Sequence, residues 1–257
     1  MAENQRYFIE LCYNGGNYHG WQVQPNAISV QQLLNQALSV ILRQPVETTG
    51  CGRTDTGVHA TQFFAHADIV SKTGIDRVKV LNSLNALLPH DIAVKRLLPV
   101  HAAAHARFDA LQRSYQYHIH FNKDPFKEGF SCLLRDKPDI GLMNKAADII
   151  TTYTDFSCFS KSNTQVKTNN CKISAAYWRM ENDSLTFHIT ADRFLRNMVR
   201  AIVGTLLMVG RGELTPADVA GIIESKDRSS AGESVPACGL YLTAITYPFL
   251  LTDEGNL

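Results

Sequence analysis

Two successive runs of one pattern constrain this chain more than any other feature. Strand-like stretches and amphipathic helical stretches follow the order β-α-β-β-α-β, and the same order then repeats. In the first run, Phe8–Cys12 predicts a strand and the Gly- and Asn-rich stretch through Trp21 a turn. Ser29-x-x-Gln32 has capping-box spacing. After it, Val30, Leu33, Leu34, Ala37, Leu38, Ile41 and Leu42 fall on one helical face, and Pro45 stops the helix. Val46–Thr49 and Thr61–Val70 predict strands, Asp76–Leu88 a helix ended by Pro89, and Ile92–Leu98 a strand.

The second run predicts a strand over Arg113–Phe121, a helix over Ile140–Thr152 and a hairpin of Lys172–Met180 with Ser184–Thr190. A helix over Phe194–Val209 and a closing strand over Leu240–Tyr247 complete it. Thr215–Ser225 adds a short helix with Thr as cap and Pro216 at its first position. Asp124–Asp139 is the most irregular stretch and predicts a surface excursion. Two copies of β-α-β-β-α-β predict an α+β protein of two ferredoxin-like halves, residues 1–108 and 109–257, whose sheets join into one mainly antiparallel sheet. The cleft between such halves is a natural place for a ligand.

Composition narrows the class. With 257 residues and 45% hydrophobic content the chain can bury a substantial core. Lys and Arg total 25 against 24 Asp and Glu, a net charge of +1, so a nucleic-acid partner requires basic residues gathered on one face. The opening residues lack the apolar core of a secretory signal, and no run reaches membrane-span length. The six cysteines have no C-x-x-C spacing and read as reduced thiols. Together these predict a soluble, cytoplasmic protein without a membrane partner.

The chemistry concentrates at Gly50-Cys51-Gly52-Arg53-Thr54-Asp55-Thr56-Gly57-Val58-His59-Ala60. Asp55 sits in a glycine-punctuated turn two residues after Arg53, between two predicted strands. Glycine permits a tight bend and close approach of a ligand; Asp is also common in ordinary turns, so both readings stand at this point. The Gly52-x-x-x-x-Gly57 spacing is not a phosphate loop, because Val58-His59 occupy the places of its Lys and Ser/Thr. His101 and His105 are four residues apart but lack the Glu of H-E-x-x-H, and capping or surface roles suit them better than a metal.

On the predicted Phe194–Val209 helix, Arg193, Arg196 and Arg200 fall within about 60° of one another at 100° per residue, opposite Leu195, Met198, Val199, Ile202 and Leu206. Such a stripe is either a solvated face or a set of guanidinium forks for carboxylate or phosphate, one of which could pair with Asp55. Tyr115 and Tyr117 alternate on a strand and share a face. They read either as a half-buried strand face or as a platform for a nucleic-acid base. One acid, several arginines and a strand tyrosine, without a metal or nucleotide motif, suggest cofactor-free chemistry on an RNA base.

These residues resemble the tRNA pseudouridine synthase A family, and the resemblance runs nearly end to end. It rests on Gly52–Ala60, Tyr18-His19-Gly20-Trp21-Gln22, Asn85-Ala86-Leu87-Leu88-Pro89-x-Asp91-Ile92 and His105-Ala106-Arg107-Phe108. Arg113-Ser114-Tyr115-Gln116-Tyr117, Phe194–Gly204 and Pro236-Ala237-x-Gly239-Leu240-Tyr241-Leu242 extend it. The resemblance implies a pseudouridine synthase fold, a homodimer, a tRNA substrate, no metal or organic cofactor, and isomerisation of uridine to pseudouridine at positions 38, 39 and 40 of the anticodon stem-loop. It makes Asp55 the catalytic carboxylate, Arg200 its ion-pair partner and Arg53 a cation that helps hold the RNA backbone. Tyr115 would stack on the flipped uracil and could relay a proton, Leu240 would pack at the base pocket, and Arg107 would help bind or open the stem-loop. Residues 166–171 carry no arginine, which leaves the RNA contacts of the second half open. A non-catalytic RNA-binding or RNA-chaperone protein on the same fold is the alternative from a different class, and it would need neither Asp55 nor Arg200.

Overall fold

The structure is a computed structural model that describes residues 3–71, 74–160 and 168–250. Val166 and Lys167 lie outside the described residues. The chain divides into two compact units, one of residues 1–111 with 242–257 and one of residues 112–241.

In the first unit, β1 (Glu3–Tyr13), α1 (Val30–Leu42), β2 (Thr49–Gly50), β3 (His59–Ser71), α2 (Arg77–Leu87) and β4 (Ile92–Val100) follow the expected β-α-β-β-α-β order. The strands lie in the order β4-β1-β3, all antiparallel, with β2 on the other edge of β3 opposite Ala65 and His66. This is the arrangement of a ferredoxin-like sheet.

Strand β1 outruns its apolar signal, because Asn4, Gln5 and Arg6 pair with Val70, Ile69 and Asp68 of the longer β3. Arg6 Nη2 lies 2.6 Å from Asp68 Oδ2 across that extension, and the guanidinium holds the Asp68 carboxyl below the usual carboxylate range. The strand expected over Val46–Thr49 shrinks to the two residues Thr49–Gly50. Its amides are captured by α1, Val46 N–H by Ser39 Oγ at 3.0 Å and Thr48 N–H by Asn35 Oδ1 at 3.1 Å. Helix α1 starts where Ser29 Oγ accepts the Gln32 N–H, and it buries Val30, Leu34, Ala37 and Leu38. It ends at Leu42, with Arg43 in the left-handed conformation ahead of Pro45. Phe8, Ile9, Leu11, Phe63, Phe64 and Leu84 are fully buried in this unit.

In the second unit, β5 (Gln112–His120), β6 (Cys132–Leu133), α3 (Ile140–Thr151), β7 (Ile173–Glu181), β8 (Ser184–Ala191), α4 (Met198–Gly210) and α5 (Pro216–Ser225) follow. Antiparallel β5, β8 and β7 are neighbours in that order, and β6 runs parallel to β5. Residues 124–139 form mainly turns around β6, as an excursion should. Thr215 and Asp218 make a reciprocal capping box at the start of α5. Met143, Ala147, Ile150, Phe187, Ile202 and Leu206 are fully buried. Strand β9 (Leu240–Thr246) closes the chain order, and from Leu242 onward it groups with the first unit. There it lies beside β3, where Ile245 N–H donates to Gln62 Oε1 at 3.0 Å. The protein is of the α+β class with mostly antiparallel pairing, as the repeated pattern predicts.

One expected element is wrong in extent. Residues 194–197 are not helical, so Arg193, Arg196 and Arg200 do not form a stripe on one helix face. Asn197 adopts a left-handed conformation, φ 65°, and α4 begins only at Met198. Asn is among the few residues that tolerate that region. Its side chain is engaged elsewhere, with Nδ2 donating to Ser234 Oγ. Arg200 alone of the three lies on the helix. Among the described residues, no helix is long and apolar enough to cross a membrane.

Candidate active site

The Asp55 turn is held from behind by residues 13–21, through a set of contacts that only glycines permit. Gly20 has φ +85°, and a Cβ placed there would lie 2.3 Å from the Thr54 carbonyl oxygen. A Cβ at Gly15 would lie 2.0 Å from the Val58 carbonyl oxygen. With both side chains absent, the two backbones come together and bond. Trp21 N–H donates to Thr54 C=O at 3.3 Å, and Gly57 N–H donates to Tyr18 C=O at 3.3 Å. Gly15 N–H donates to His59 Nδ1 at 3.1 Å, and the Tyr13 hydroxyl bonds Thr54 Oγ1 at 2.9 Å. Val58 N–H closes the turn on Asp55 C=O at 3.1 Å. Thr54, Val58 and His59 are buried, whereas Asp55 is half-buried and Arg53 exposed. A fixed backbone thus carries a half-buried carboxylate, the arrangement expected of a preorganised reactive group.

The three glycines of the Gly50–Ala60 segment serve different ends. Gly50 pairs with Ala65, and its missing side chain makes room for the Trp21 indole, whose Nε1 would be 2.4 Å from a Cβ. Gly57 supplies a left-handed residue, φ 77°. A Cβ on Gly52, by contrast, would meet nothing within 4 Å.

Next to the turn, Trp21, Gln31, Thr49, Gly50, Arg53 and Arg107 line a hollow of about 200 Å³. Two arginines far apart in sequence therefore share one concavity within the first unit. Arg107 is carried on a loop with a dense internal bonding pattern. Ala106 N–H donates to His66 Nδ1 at 3.1 Å, and the Ala106 carbonyl accepts from the Tyr247 hydroxyl. His105 Nδ1 accepts the Arg107 N–H at 3.1 Å and the Phe108 N–H at 3.3 Å, while Asp109 Oδ2 accepts the His105 N–H at 2.7 Å. These are acceptor roles that need neutral imidazoles at Nδ1. Burial pushes His66 down to about 4, with Arg6 and His105 adding to the effect and Asp68 and Asp109 opposing it. Burial also lowers His105. The His101 ring meets Phe249 edge to face, and the two histidines act as packing and capping groups.

In the second unit, Arg200 lies in the first turn of α4 and is half-buried. Its Nε donates to Val235 C=O at 2.6 Å, and Val235 N–H returns a bond to Arg200 C=O at 3.3 Å. Residues 231–235 reach it because Gly204 has no side chain; a Cβ there would lie 1.8 Å from the Glu233 carbonyl oxygen. Thr205 Oγ1 accepts the Gly232 N–H at 2.9 Å, and Arg228 bonds the Ala231 and Gly232 carbonyls. The matching stretches Phe194–Gly204 and Pro236–Leu242 are thus brought together by one clamp. Arg196 is exposed in the turn before the helix.

Tyr115 and Tyr117 share a face of β5 but not an environment. Tyr117 is fully buried, donates its hydroxyl to Pro236 C=O at 2.9 Å, and its pKa is raised by burial. It is a core residue, not a platform for a base. Tyr115 is half-buried, with its ring edge-on to Phe194 at 5.1 Å between centroids. Leu240 is buried at the start of β9, just after Gly239, whose absent side chain leaves room for the Tyr117 ring. Asp55, Arg53 and Arg107 belong to the first unit; Tyr115, Arg196, Arg200 and Leu240 belong to the second. Sequence patterns gave no sign of His66, whose partner is 40 residues away, or of the link between Tyr18 and Asp91.

A repeated β-α-β-β-α-β scaffold thus carries a clamped Asp turn with a two-arginine hollow beside it. Residues 153–248 match the tRNA pseudouridine synthase family. The chain is 53% identical to a tRNA pseudouridine synthase A of Porphyromonas gingivalis, over 95% of this chain and 97% of that protein. It is 52% identical to the one of Parabacteroides distasonis over 95% and 96% of the two chains, and 38% identical to the one of Ruminiclostridium cellulolyticum over 93% and 98%. The chain belongs to the tRNA pseudouridine synthase A family.

Proposed function

We propose that this protein isomerises uridine to pseudouridine in tRNA, at positions 38, 39 and 40 of the anticodon stem-loop, with Asp55 as the essential carboxylate. The observation that carries the reading is the Asp55 turn, gripped by the Tyr13–Trp21 segment and flanked by a two-arginine hollow, in a chain that matches its relatives over nearly their whole length.

In this reaction the N1–C1′ bond breaks, the uracil turns while held, and C5 bonds to C1′; the C5 proton is lost and N1 gains one, so the formula is unchanged. Asp55 can act by adding to the ribose, by adding to the base, or by taking the 2′ proton, and each route requires the ionised carboxylate. By residue-wise match to the family, Arg200 keeps Asp55 ionised, Tyr115 stacks on the uracil and relays a proton, and Leu240 lines the base pocket. Arg53, Arg107 and Arg196 are the candidates for the phosphates, which arginine forks suit. The target base must first leave its stack, at a cost of a few kcal/mol offset by contacts to the extruded nucleotide. We further propose a cytoplasmic homodimer, on family grounds, to be checked by sedimentation.

The test is release of the C5 hydrogen from tRNA labelled there, for the wild type and for Asp55→Asn. The wild type is expected to release it, and the variant to bind tRNA but release none. Equal release by the variant would remove Asp55 from the mechanism, and no release by the wild type would favour a non-catalytic RNA binder.

A further inference from the structure

Phe108 stands out among the large apolar side chains of the first unit, because it is 74% exposed on a loop that is otherwise fixed. The amides of residues 105 to 109 are bonded within the unit, to Asp109 Oδ2, His66 Nδ1, His105 Nδ1 and His105 C=O. Ala104 and Ala106 are fully buried beneath it, and Arg6 Nη1 holds the Ala104 carbonyl at 2.9 Å. The phenyl ring leans on the His105 ring, centroids 4.2 Å apart and planes 31° apart, and the Arg107 guanidinium lies 5.8 Å from its centroid. Arg107 in turn lines the hollow with Arg53, two residues from Asp55. An exposed aromatic ring on a bonded loop, with one arginine over it and a second arginine in that arginine's hollow, is the combination with which proteins take up unstacked bases, the ring for the π-face and the cations for the phosphates.

We propose that Phe108 is a stacking surface for an unstacked base of the tRNA, distinct from the uridine that reacts at Asp55. The inference rests on the tRNA reading above. A base on the outer face of Phe108 completes a three-layer stack with His105 behind, and the loop needs no ordering when it binds. Arg107 then contributes twice, polarising the ring it lies over and neutralising a neighbouring phosphate.

The test compares wild type with F108A, F108L and F108W, using unmodified tRNA transcript, with Kd measured across a salt series and kcat and KM for pseudouridine formation. F108A is expected to raise Kd and KM by roughly 10-fold, in keeping with the loss of one base–aromatic stack. Its salt slope should equal that of the wild type, since no phosphate contact is removed, and its melting curve should not change. F108W should restore affinity and F108L should not. Affinity of F108A equal to wild type, rescue by Leu as complete as by Trp, or a lowered melting temperature for F108A would each overturn the inference. A wild type that forms no pseudouridine while F108A still weakens binding would overturn the catalytic reading and leave the stacking surface standing.

Discussion

The Tyr18 hydroxyl donates to the carboxylate of Asp91, the residue immediately before β4, and through that bond the far edge of the first sheet braces the Asp55 turn. Asn17 Nδ2 donates to the second carboxylate oxygen at 2.9 Å, and Asn14 N–H to the Asp91 carbonyl at 2.9 Å. The Tyr18 carbonyl accepts from Gly57, so the brace is one residue removed from the turn itself. Burial first, and Asp91 second, raise the Tyr18 phenol, which remains a donor.

Asp91→Ala leaves the buried Tyr18 hydroxyl without its acceptor, and such a loss costs about 1–3 kcal/mol. Tyr18→Phe removes the donor instead and leaves only a half-exposed carboxylate, so it should cost less. Urea unfolding of the two variants checks that order. Turnover should fall in both with KM nearly unchanged, since neither group lies in the basic hollow.

Two glycines of the site should respond in opposite ways. Gly20→Ala combines a positive φ with a 2.3 Å clash on the Thr54 carbonyl, and is expected to lose at least about 2 kcal/mol of stability together with activity. Gly52→Ala meets no neighbour within 4 Å, so its melting curve should match the wild type. If the RNA backbone passes close to Gly52, tRNA affinity of that variant falls all the same. Unchanged affinity would place the RNA elsewhere.

Gly204→Ala tests the clamp around Arg200. The added methyl would stand 1.8 Å from the Glu233 carbonyl oxygen, and overpacking of this kind costs about 1–3 kcal/mol. Residues 231–235 must move away, and Val235 with them, which alters the Arg200 side chain's seat. The expected result is a lower melting temperature with kcat reduced more than tRNA affinity.

His66 gives a pH dependence with a definite sign. Its folded pKa is pushed down to about 4 from 6.5, so between those values the unfolded chain binds a proton that the folded chain refuses. The contribution of neutral His66 to stability is therefore complete above about pH 6.5, shrinks as pH drops, and is gone by about pH 4. His105, also lowered, acts in the same direction, with Arg6, Asp68 and Asp109 as the neighbouring charges. His66→Asn keeps a side-chain acceptor but cannot titrate. Its urea midpoint should fall less steeply than the wild type between pH 7 and 4.5, and parallel curves would remove His66 from the account.

The order of elements in both halves was legible in the sequence because apolar periodicity and caps act over a few residues. Ser29, Asp76, Asp139 and Thr215 each cap the helix that follows. Local reasoning failed where a distant group captured the backbone. Ser39 and Asn35 bond the amides that would have lengthened β2, and a left-handed Asn197 delays α4 and dissolves the arginine stripe. The Asp55 turn was conspicuous as a motif, and the matching segments around it named the family. What holds it was not legible. Gly20 opposite Thr54, Gly15 opposite Val58 and Asp91 beneath Tyr18 are contacts between segments separated by tens of residues, and Arg107 shares a hollow with Arg53 across a similar span. Hydrogen bonds and close approaches of that range depend on how the strands register and where each loop returns. The sequence by itself determined which groups are available and roughly where the chain turns. Only the tertiary structure decided which glycines are open to a ligand, which tyrosine is core, and which arginines share a surface.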